Sequence, residues 1–262
     1  MEDRQDILNQ FYNEDCDEDT RLLSKHGKVE FITTDTYVNK YLKEGSKILE
    51  VGAGTGRYSL HYAKQGYDVT AVEFVKHNLD VLKSHIEEGM KINAMQGDAT
   101  NLDMLEDNTF DITLVLGPLY HLYTDEDVDK AIKEAIRVTK PNGVIAFAYL
   151  THDSIMVGWA LMGDHLVDRY LISFDENFKM IVDPKEIFTA FYTFEFKKMM
   201  EKYNIDFLHN IATDGMAHHL KEKIDSLTDE EFDMWMKYHL HTCEREDLQG
   251  YSNHMLYMGR KR

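Results

Sequence analysis

Short apolar runs alternate with amphipathic stretches through the middle of the chain. The runs are rich in β-branched residues and lie at residues 48–51, 67–73, 92–96, 109–116 and 144–150. Between the last two runs, apolar residues recur at helical spacing: Val128, Ala131, Ile132, Ala135 and Ile136. Thr124 precedes this stretch and can cap a helix there. The pattern predicts buried strands joined by amphipathic helices.

The first run ends at three glycines, Gly52, Gly54 and Gly56, and a helical pattern begins at Tyr58. This order predicts a strand, a tight turn and the start of a helix. Glycine permits positive φ angles and lets a ligand approach the backbone without meeting a Cβ atom. The N–H groups at the helix start point towards any negative group bound there. The turn is therefore a candidate binding site for an anionic group.

The glycine spacing indicates which ligand binds. The dinucleotide fingerprint is G-x-G-x-x-G, whereas the spacing here is G-x-G-x-G with Glu50 two residues before the first glycine. This sequence resembles the first motif of class I S-adenosylmethionine-dependent methyltransferases. A strand-to-helix turn that binds nothing can also use glycines, so the following elements have to support the resemblance.

Two acidic residues follow at the ends of the next two runs. Glu73 ends the run at 67–73, and an acid at the tip of this strand can accept hydrogen bonds from both ribose hydroxyls of an adenosine. This position favours adenosine without a 2′-phosphate but does not separate S-adenosylmethionine from NAD. The resemblance implies that Asp98 and Ala99 bind adenine and that Phe74 belongs to the same cofactor site. Alternatively, Asp98 caps the turn that follows it.

The run at 109–116 is followed by Gly-Pro-Leu-Tyr-His-Leu at residues 117–122. The segment resembles a loop of small-molecule class I methyltransferases, which implies that Leu116 and Gly117 border the transferred methyl group. It lacks the Asn or Asp of the Asn/Asp-Pro-Pro-Tyr/Phe motif of DNA amino-methyltransferases, and we reject that assignment. His121 is a candidate general base because its ordinary pKa lies near neutrality, and Tyr120 is a candidate wall of the acceptor pocket. Alternatively, His121 only forms hydrogen bonds within the loop.

The resemblance extends over residues 47–150, because residues 137–143 also resemble the turn before the fifth strand of the family. It implies an α/β fold with a doubly wound, mostly parallel, seven-stranded sheet of Rossmann-like type, in which the last strand is antiparallel. We expect four regions: a helical N-terminal cap at 1–46, the cofactor-binding core at 47–150, a lid insertion and helix at 151–202, and C-terminal strands at 203–262 with a helical insertion at 216–246.

Within these flanking regions we predict a helix at 184–202 and strands at 205–212 and 253–260. The resemblance implies that the last of these strands lies between the fifth and sixth. A Thr-x-x-Glu capping box at Thr228 predicts the start of another helix. The resemblance implies that the N-terminal cap folds over the cofactor, which makes Tyr12 and Arg21 candidates to cover it. The lid region is rich in Met and aromatic residues, and we expect some of them to lie over the acceptor.

The composition and net charge of the chain limit which molecules it can bind. The chain has 262 residues, 43% of them hydrophobic, and a formal charge of −18, so nucleic acid and anionic lipid are repelled on average. Cys16 and Cys243 match no redox or metal spacing, and the N-terminus is too polar for a signal peptide. We therefore expect a reduced cytoplasmic protein that binds neither nucleic acid nor membrane.

His239 and Cys243 would share one face of a helix while His241 points away, and two ligands are too few for a metal site.

The sequence thus predicts an enzyme that transfers a methyl group from S-adenosylmethionine to N, O or C of a small molecule, leaving S-adenosylhomocysteine. The methionine part would bind at the glycine bend (Gly52, Ala53, Gly54 and Gly56), and Glu50 belongs to the same cofactor site. Two alternatives stay open: a non-catalytic nucleoside-binding module of the same fold, and an NAD-dependent oxidoreductase. The latter is disfavoured by the glycine spacing and by the lack of a matching Tyr-x-x-x-Lys pair.

Overall fold

A computed structural model describes residues 4–12, 22–167, 174–182 and 187–262. Its strands are β1 (Lys47–Val51), β2 (Asp68–Glu73), β3 (Ile92–Gln96), β4 (Phe110–Val115), β5 (Thr139–Leu150), β6 (Ile205–Ala212) and β7 (His254–Lys261). Its α-helices are α1 (Arg4–Gln10), α2 (Lys25–Asn39), α3 (Arg57–Lys64), α4 (Lys76–Ser84), α5 (Asp125–Val138), α6 (His152–Ser154), α7 (Thr193–Met200), α8 (Lys221–Asp225) and α9 (Asp229–Thr242).

The seven strands form one sheet in the order β3-β2-β1-β4-β5-β7-β6. Pairs among β1 to β5 are parallel, and β7 is antiparallel to both of its neighbours, β5 and β6. The predicted doubly wound sheet with an antiparallel last strand between the fifth and sixth is therefore confirmed. Ile48, Leu49 and Phe147 are fully buried, as expected for central strands covered on both faces.

The chain changes direction across the sheet between β1 and β4. From β1 the sheet extends through β2 to β3 on one side and through β4 to β5 on the other. In such sheets the two connections leave β1 and β4 on opposite faces, which opens a crevice at the carboxyl ends of these strands. Gly52 follows β1 and Leu116 follows β4, so both predicted turns lie at this crevice.

The helix predicted over 184–202 is present but shorter than expected. The helix α7 spans only Thr193–Met200, and the described residues before it, 187–192, are not helical. Their N–H groups are used elsewhere, since Thr189 N donates to Tyr120 O at 2.7 Å and Phe191 N donates to Leu150 O at 2.9 Å. These bonds tie the segment to the end of β5 and to the loop after β4.

The N-terminal and C-terminal additions pack against each other. Val29 of α2 forms a small core with Ile224, Phe232 and Met236 of α8 and α9. The predicted capping box is present: Glu231 N donates to Thr228 Oγ1 while Thr228 N donates to Glu231 Oε2. None of the helices in the described residues combines the length and apolar character needed to cross a bilayer.

Candidate active site

A cavity of about 930 Å³ opens at the carboxyl ends of β1, β2 and β4. Residues of α1 and the segment that follows it, Arg4, Leu8, Phe11 and Tyr12, line one wall. The predicted site residues that line it are Tyr12, Gly52, Gly54, Glu73, Phe74, Asp98, Ala99, Leu116, Gly117, Tyr120 and His121. Segments far apart in the chain therefore converge on one crevice.

The glycine bend has the expected backbone conformation. Gly52, Gly54 and Gly56 have φ angles of 77°, 55° and 95°. A Cβ atom on Gly52 would lie 2.5 Å from Cδ of Pro118, so this position has no room for a side chain. Gly56 is the N-cap of α3 and lies against Leu82 and Leu60 rather than at the cavity. The bend thus brings backbone, without side chains, to the cavity wall.

Glu73 is a buried acid of the site with backbone hydrogen bonds at both carboxylate oxygens. It is 5% exposed, and each of its carboxylate oxygens accepts a backbone hydrogen bond, Oε2 from Gly54 N at 2.7 Å and Oε1 from Val75 N at 2.8 Å. The bend after β1 and the end of β2 are thereby joined through one side chain. These bonds hold the carboxylate in place at the cavity wall.

Glu50 and Ala53 do not line this cavity. They line a smaller neighbouring one, of about 30 Å³, together with Arg57 and Tyr58. Glu50 is 2% exposed and accepts a hydrogen bond from Ser59 Oγ of α3. The structure therefore places Glu50 behind the glycine bend, where it joins β1 to α3.

Asp98 lies at the cavity and is already bonded. Its Oδ2 atom pairs with the Arg4 guanidinium, and its Oδ1 atom accepts from Thr100 N and Oγ1, both at 2.9 Å. The same guanidinium lies 4.8 Å from the centre of the Phe74 ring. Sequence reasoning missed Arg4, because an Arg in a polar N-terminal stretch carries no motif. Of the two predicted cap residues, Tyr12 lines the cavity and Arg21 lies outside the described residues.

Both ring nitrogens of His121 have partners. Nδ1 lies 2.8 Å from Ile187 O, which can only accept, so Nδ1 carries the hydrogen. The neutral ring therefore accepts at Nε2, where the Tyr12 hydroxyl donates at 2.9 Å. Burial lowers the pKa of His121 to about 4, and the charge of Arg4 acts in the same direction, against the opposing effect of the bond to Ile187. The side chain is a neutral anchor for the N-terminal segment.

The far end of the cavity is mostly apolar and aromatic. Ile155, Trp159 and Met180 come from the region of the predicted lid, and Phe188 comes from the segment before α7. The Tyr120 ring is 8% exposed and lies 6.1 Å from the Phe188 ring and 5.9 Å from the His254 ring. This end can enclose an apolar ring.

Glu30, Asp214 and His254 are the one trio in the described residues whose possible metal-binding atoms lie within 4.8 Å of one another. Asp214 already accepts from the Ser252 hydroxyl at 2.7 Å and from Asn253 N at 2.9 Å, besides its contacts with His254. We therefore interpret the trio as a hydrogen-bonded cluster of two carboxyl groups and an imidazole. Sequence reasoning missed it, since its members lie on three distant segments.

Known proteins resemble this chain in sequence. Residues 48–143 match a family model described as a methyltransferase domain. A demethylmenaquinone methyltransferase of Paenarthrobacter aurescens is 35% identical over 48% of this chain and 47% of its own length. A ubiquinone biosynthesis O-methyltransferase of Rickettsia conorii is 26% identical over 53% of this chain and 50% of its own length. The chain thus spans about half the length of these curated relatives.

The fold itself also has solved counterparts. The structure of an S-adenosylmethionine-dependent methyltransferase from Methanosarcina mazei superposes with a TM-score of 0.55 at 16% identity. The match covers 86% of this chain and 96% of the other. At 16% identity the structural comparison shows a shared fold only. The sequence match covers residues 48–143. Residues 48–143 therefore resemble a methyltransferase domain, and the chain has the Rossmann-like fold seen in the solved methyltransferase structure.

Proposed function

We propose that this protein binds S-adenosylmethionine in the cavity and transfers its methyl group to a small molecule. The main observation is Glu73, whose two carboxylate oxygens are fixed by backbone N–H groups at the crevice beside the glycine bend. When bound, S-adenosylmethionine supplies a methyl group on a positively charged sulfur. The residues present fit this ligand, because Gly52 and Gly54 line the cavity without side chains and the buried Glu73 carboxylate lies beside them.

In this proposal each part of the cofactor has its own residues. Gly52 and Gly54 receive the methionine part, Glu73 accepts from the ribose hydroxyls, and Asp98 and Ala99 border adenine. Arg4 has to share Asp98 with the adenine amino group or move aside, since it pairs with Asp98 here. The protein mainly aligns and desolvates the reacting groups, because methyl transfer from a sulfonium removes charge in the transition state.

The acceptor in this proposal is an apolar ring with one polar reacting group. The walls formed by Trp159, Met180 and Phe188 support an apolar body, and the net charge of −18 disfavours an anionic one. The relatives named for demethylmenaquinone and for ubiquinone biosynthesis support an aromatic acceptor for this chain.

Titration calorimetry tests the cofactor assignment. We expect the protein to bind S-adenosylmethionine and S-adenosylhomocysteine but not NAD. Glu73→Gln removes the charge and places an amide N–H₂ against the N–H of Gly54 or Val75, so affinity should fall by about tenfold or more, the cost of unpaired buried polar groups. The exposed Glu88→Gln is the matched control and should bind as the wild type does.

Three results would contradict the proposal. Binding of NAD but of neither sulfur nucleoside would make the protein an NAD-binding one. Unchanged affinity in a folded Glu73→Gln variant would show that Glu73 does not hold the ribose. Tight binding of S-adenosylmethionine without transfer to any acceptor would instead favour the nucleoside-binding module.

A further inference from the structure

Asn78 is a buried asparagine in the wall of the cavity. It is 3% exposed and lines the cavity together with Glu73, Phe74 and Val75. Within the part of the chain that the structure describes, no residue forms a hydrogen bond with its side-chain amide. The amide is also not sealed inside the protein, so its small accessible surface lies at the cavity. Asn78 therefore presents an unpartnered polar group to a ligand bound there.

The packing of α4 places Asn78 beside the glycine bend. Asn78 lies in the first turn of α4, on the same face as Leu82 in the next turn. Leu82 is fully buried against the bend, because a Cβ atom on Gly56 would lie 2.7 Å from its Cγ atom. The helix begins shortly after Glu73, the last residue of β2. The amide is thus in the wall between the glycine bend and the end of β2.

Asparagine at this position weakens the fold. The other buried residues of α4 are Leu79 and Leu82, so the inner face of the helix is otherwise apolar. Asparagine has a lower helix propensity than leucine, and a buried amide without a partner costs free energy. Asn78 does not cap the helix either, because Val75 is the N-cap residue of α4. A bound ligand that supplies the missing partner explains why a polar residue stands here.

The ribose of an adenosine needs a hydrogen-bond donor as well as an acceptor. Each ribose hydroxyl can donate one hydrogen bond and accept two, whereas the Glu73 carboxylate can only accept. The backbone N–H groups of Gly54 and Val75 already donate to Glu73. The Asn78 amide carries two N–H donors. It can therefore satisfy a hydroxyl oxygen whose hydrogen is donated to Glu73.

Resting on the methyltransferase function proposed above, we propose that Asn78 is a ribose-binding residue. Its amide N–H₂ donates to one of the two ribose hydroxyl oxygens of S-adenosylmethionine, while Glu73 accepts the hydroxyl hydrogens. The end of β2 thus supplies the acceptor and α4 supplies the donor. This role concerns binding only, so it applies equally to the product S-adenosylhomocysteine.

Titration calorimetry with S-adenosylhomocysteine tests this role. Asn78→Leu keeps a branched side chain but removes the donors and the acceptor of the amide. Affinity should fall by about tenfold, as expected for a buried hydroxyl oxygen that loses its donor. Asn78→Ala, which is too small to clash with its neighbours, should also weaken binding. Asn39→Leu, at an exposed helical position in α2, is the matched control and should bind as the wild type does.

Three analogues of S-adenosylhomocysteine identify the partner of the amide. The 2′-deoxy and 3′-deoxy forms each lack one ribose hydroxyl, and the 3-deaza form lacks the adenine nitrogen N3. With one of the two deoxy analogues, the wild type and Asn78→Leu should bind within about twofold of each other, because the interaction that the variant loses is already absent. The 3-deaza analogue should keep the difference of about tenfold.

Thermal unfolding of the ligand-free protein gives a second readout. Asn78→Leu removes an unpartnered amide from an apolar helix face and raises the helix propensity there. The melting temperature should therefore rise by about 2–4 °C. A fall in melting temperature would mean that the amide has a partner in the fold and would overturn the inference.

Three binding results would also overturn it in a protein that binds S-adenosylhomocysteine. Unchanged affinity in both Asn78 variants would show that the amide does not touch the ligand. An equal loss with the parent compound and with all three analogues would make the role of Asn78 structural. A loss that disappears only with the 3-deaza analogue would place the amide at adenine. A wild type that does not bind S-adenosylhomocysteine would instead contradict the proposed function itself.

Discussion

Replacing His121 by asparagine should make the stability of the protein less sensitive to acid. Burial lowers the pKa of His121 from an ordinary value of 6.5 to about 4. Between these two values the unfolded chain binds a proton at this side chain and the folded protein does not. The folded state therefore loses stability as the pH falls from 6.5 to 4, and it keeps this part of its stability above pH 6.5.

The size of the effect follows from the two pKa values. At pH 5 the His121 side chain is about 97% protonated in the unfolded chain and about 10% protonated in the folded protein. Protonation then favours the unfolded state by a factor of about 30, which lowers the free energy of unfolding by about 2 kcal/mol. At pH 7.5 protonation of His121 lowers the free energy of unfolding by only about 0.1 kcal/mol. The wild type should thus lose about 2 kcal/mol more than the His121→Asn variant between pH 7.5 and pH 5.

Urea unfolding followed by circular dichroism at the two pH values measures this difference. The amide introduced by His121→Asn does not titrate in this range but keeps an N–H₂ group that can donate to Ile187 O. The contact with Tyr12 that the variant loses lowers stability at both pH values and cancels in the comparison. His152, whose pKa burial also lowers to about 4, is present in both proteins and cancels as well. His77→Asn, at an exposed position, is the control.

An equal loss of stability in wild type and His121→Asn would refute the reasoning. It would mean that His121 is solvated or already protonated in the folded protein. A smaller loss in the variant and an unaltered loss in His77→Asn would establish His121 as a buried neutral anchor.

Two further predictions concern the mouth of the cavity. Gly52→Ala should destabilise the protein by more than Gly66→Ala in thermal unfolding. Both glycines have positive φ angles, but only a Cβ atom on Gly52 would meet a neighbour, Pro118, at 2.5 Å. Equal effects of the two substitutions would show that Pro118 moves away. Arg4→Ala should increase the dissociation rate of S-adenosylhomocysteine in stopped-flow fluorescence, because α1 loses its contacts with Asp98 and Phe74 at the cavity wall and this outweighs the release of Asp98 from Arg4. Stability should change by less than about 1 kcal/mol, since the pair with Asp98 is partly exposed. A loss of several kcal/mol in stability would show that this pair holds the fold.

The sequence by itself predicted the elements of residues 47–150, because each strand, turn and helix start there has its own pattern of neighbouring residues. The glycine bend, the acid at the end of β2 and the loop after β4 occupy positions that the pattern alone predicts, and the structure brings Gly52, Glu73 and Tyr120 to one cavity. In a parallel sheet the carboxyl ends of neighbouring strands meet at one edge, so strand order is enough to place these residues together.

Only the tertiary structure decided which polar groups meet around that edge. Residues 187–192 are not helical because carbonyl groups of Tyr120 and Leu150 take the N–H groups of Thr189 and Phe191, which no local pattern reveals. The contacts of Arg4 with Asp98 and of His254 with its two carboxylates join segments far apart in the chain. Such pairs arise from how the added segments pack on the sheet, because hydrogen bonds and ion pairs between side chains depend on distances that sequence spacing does not set.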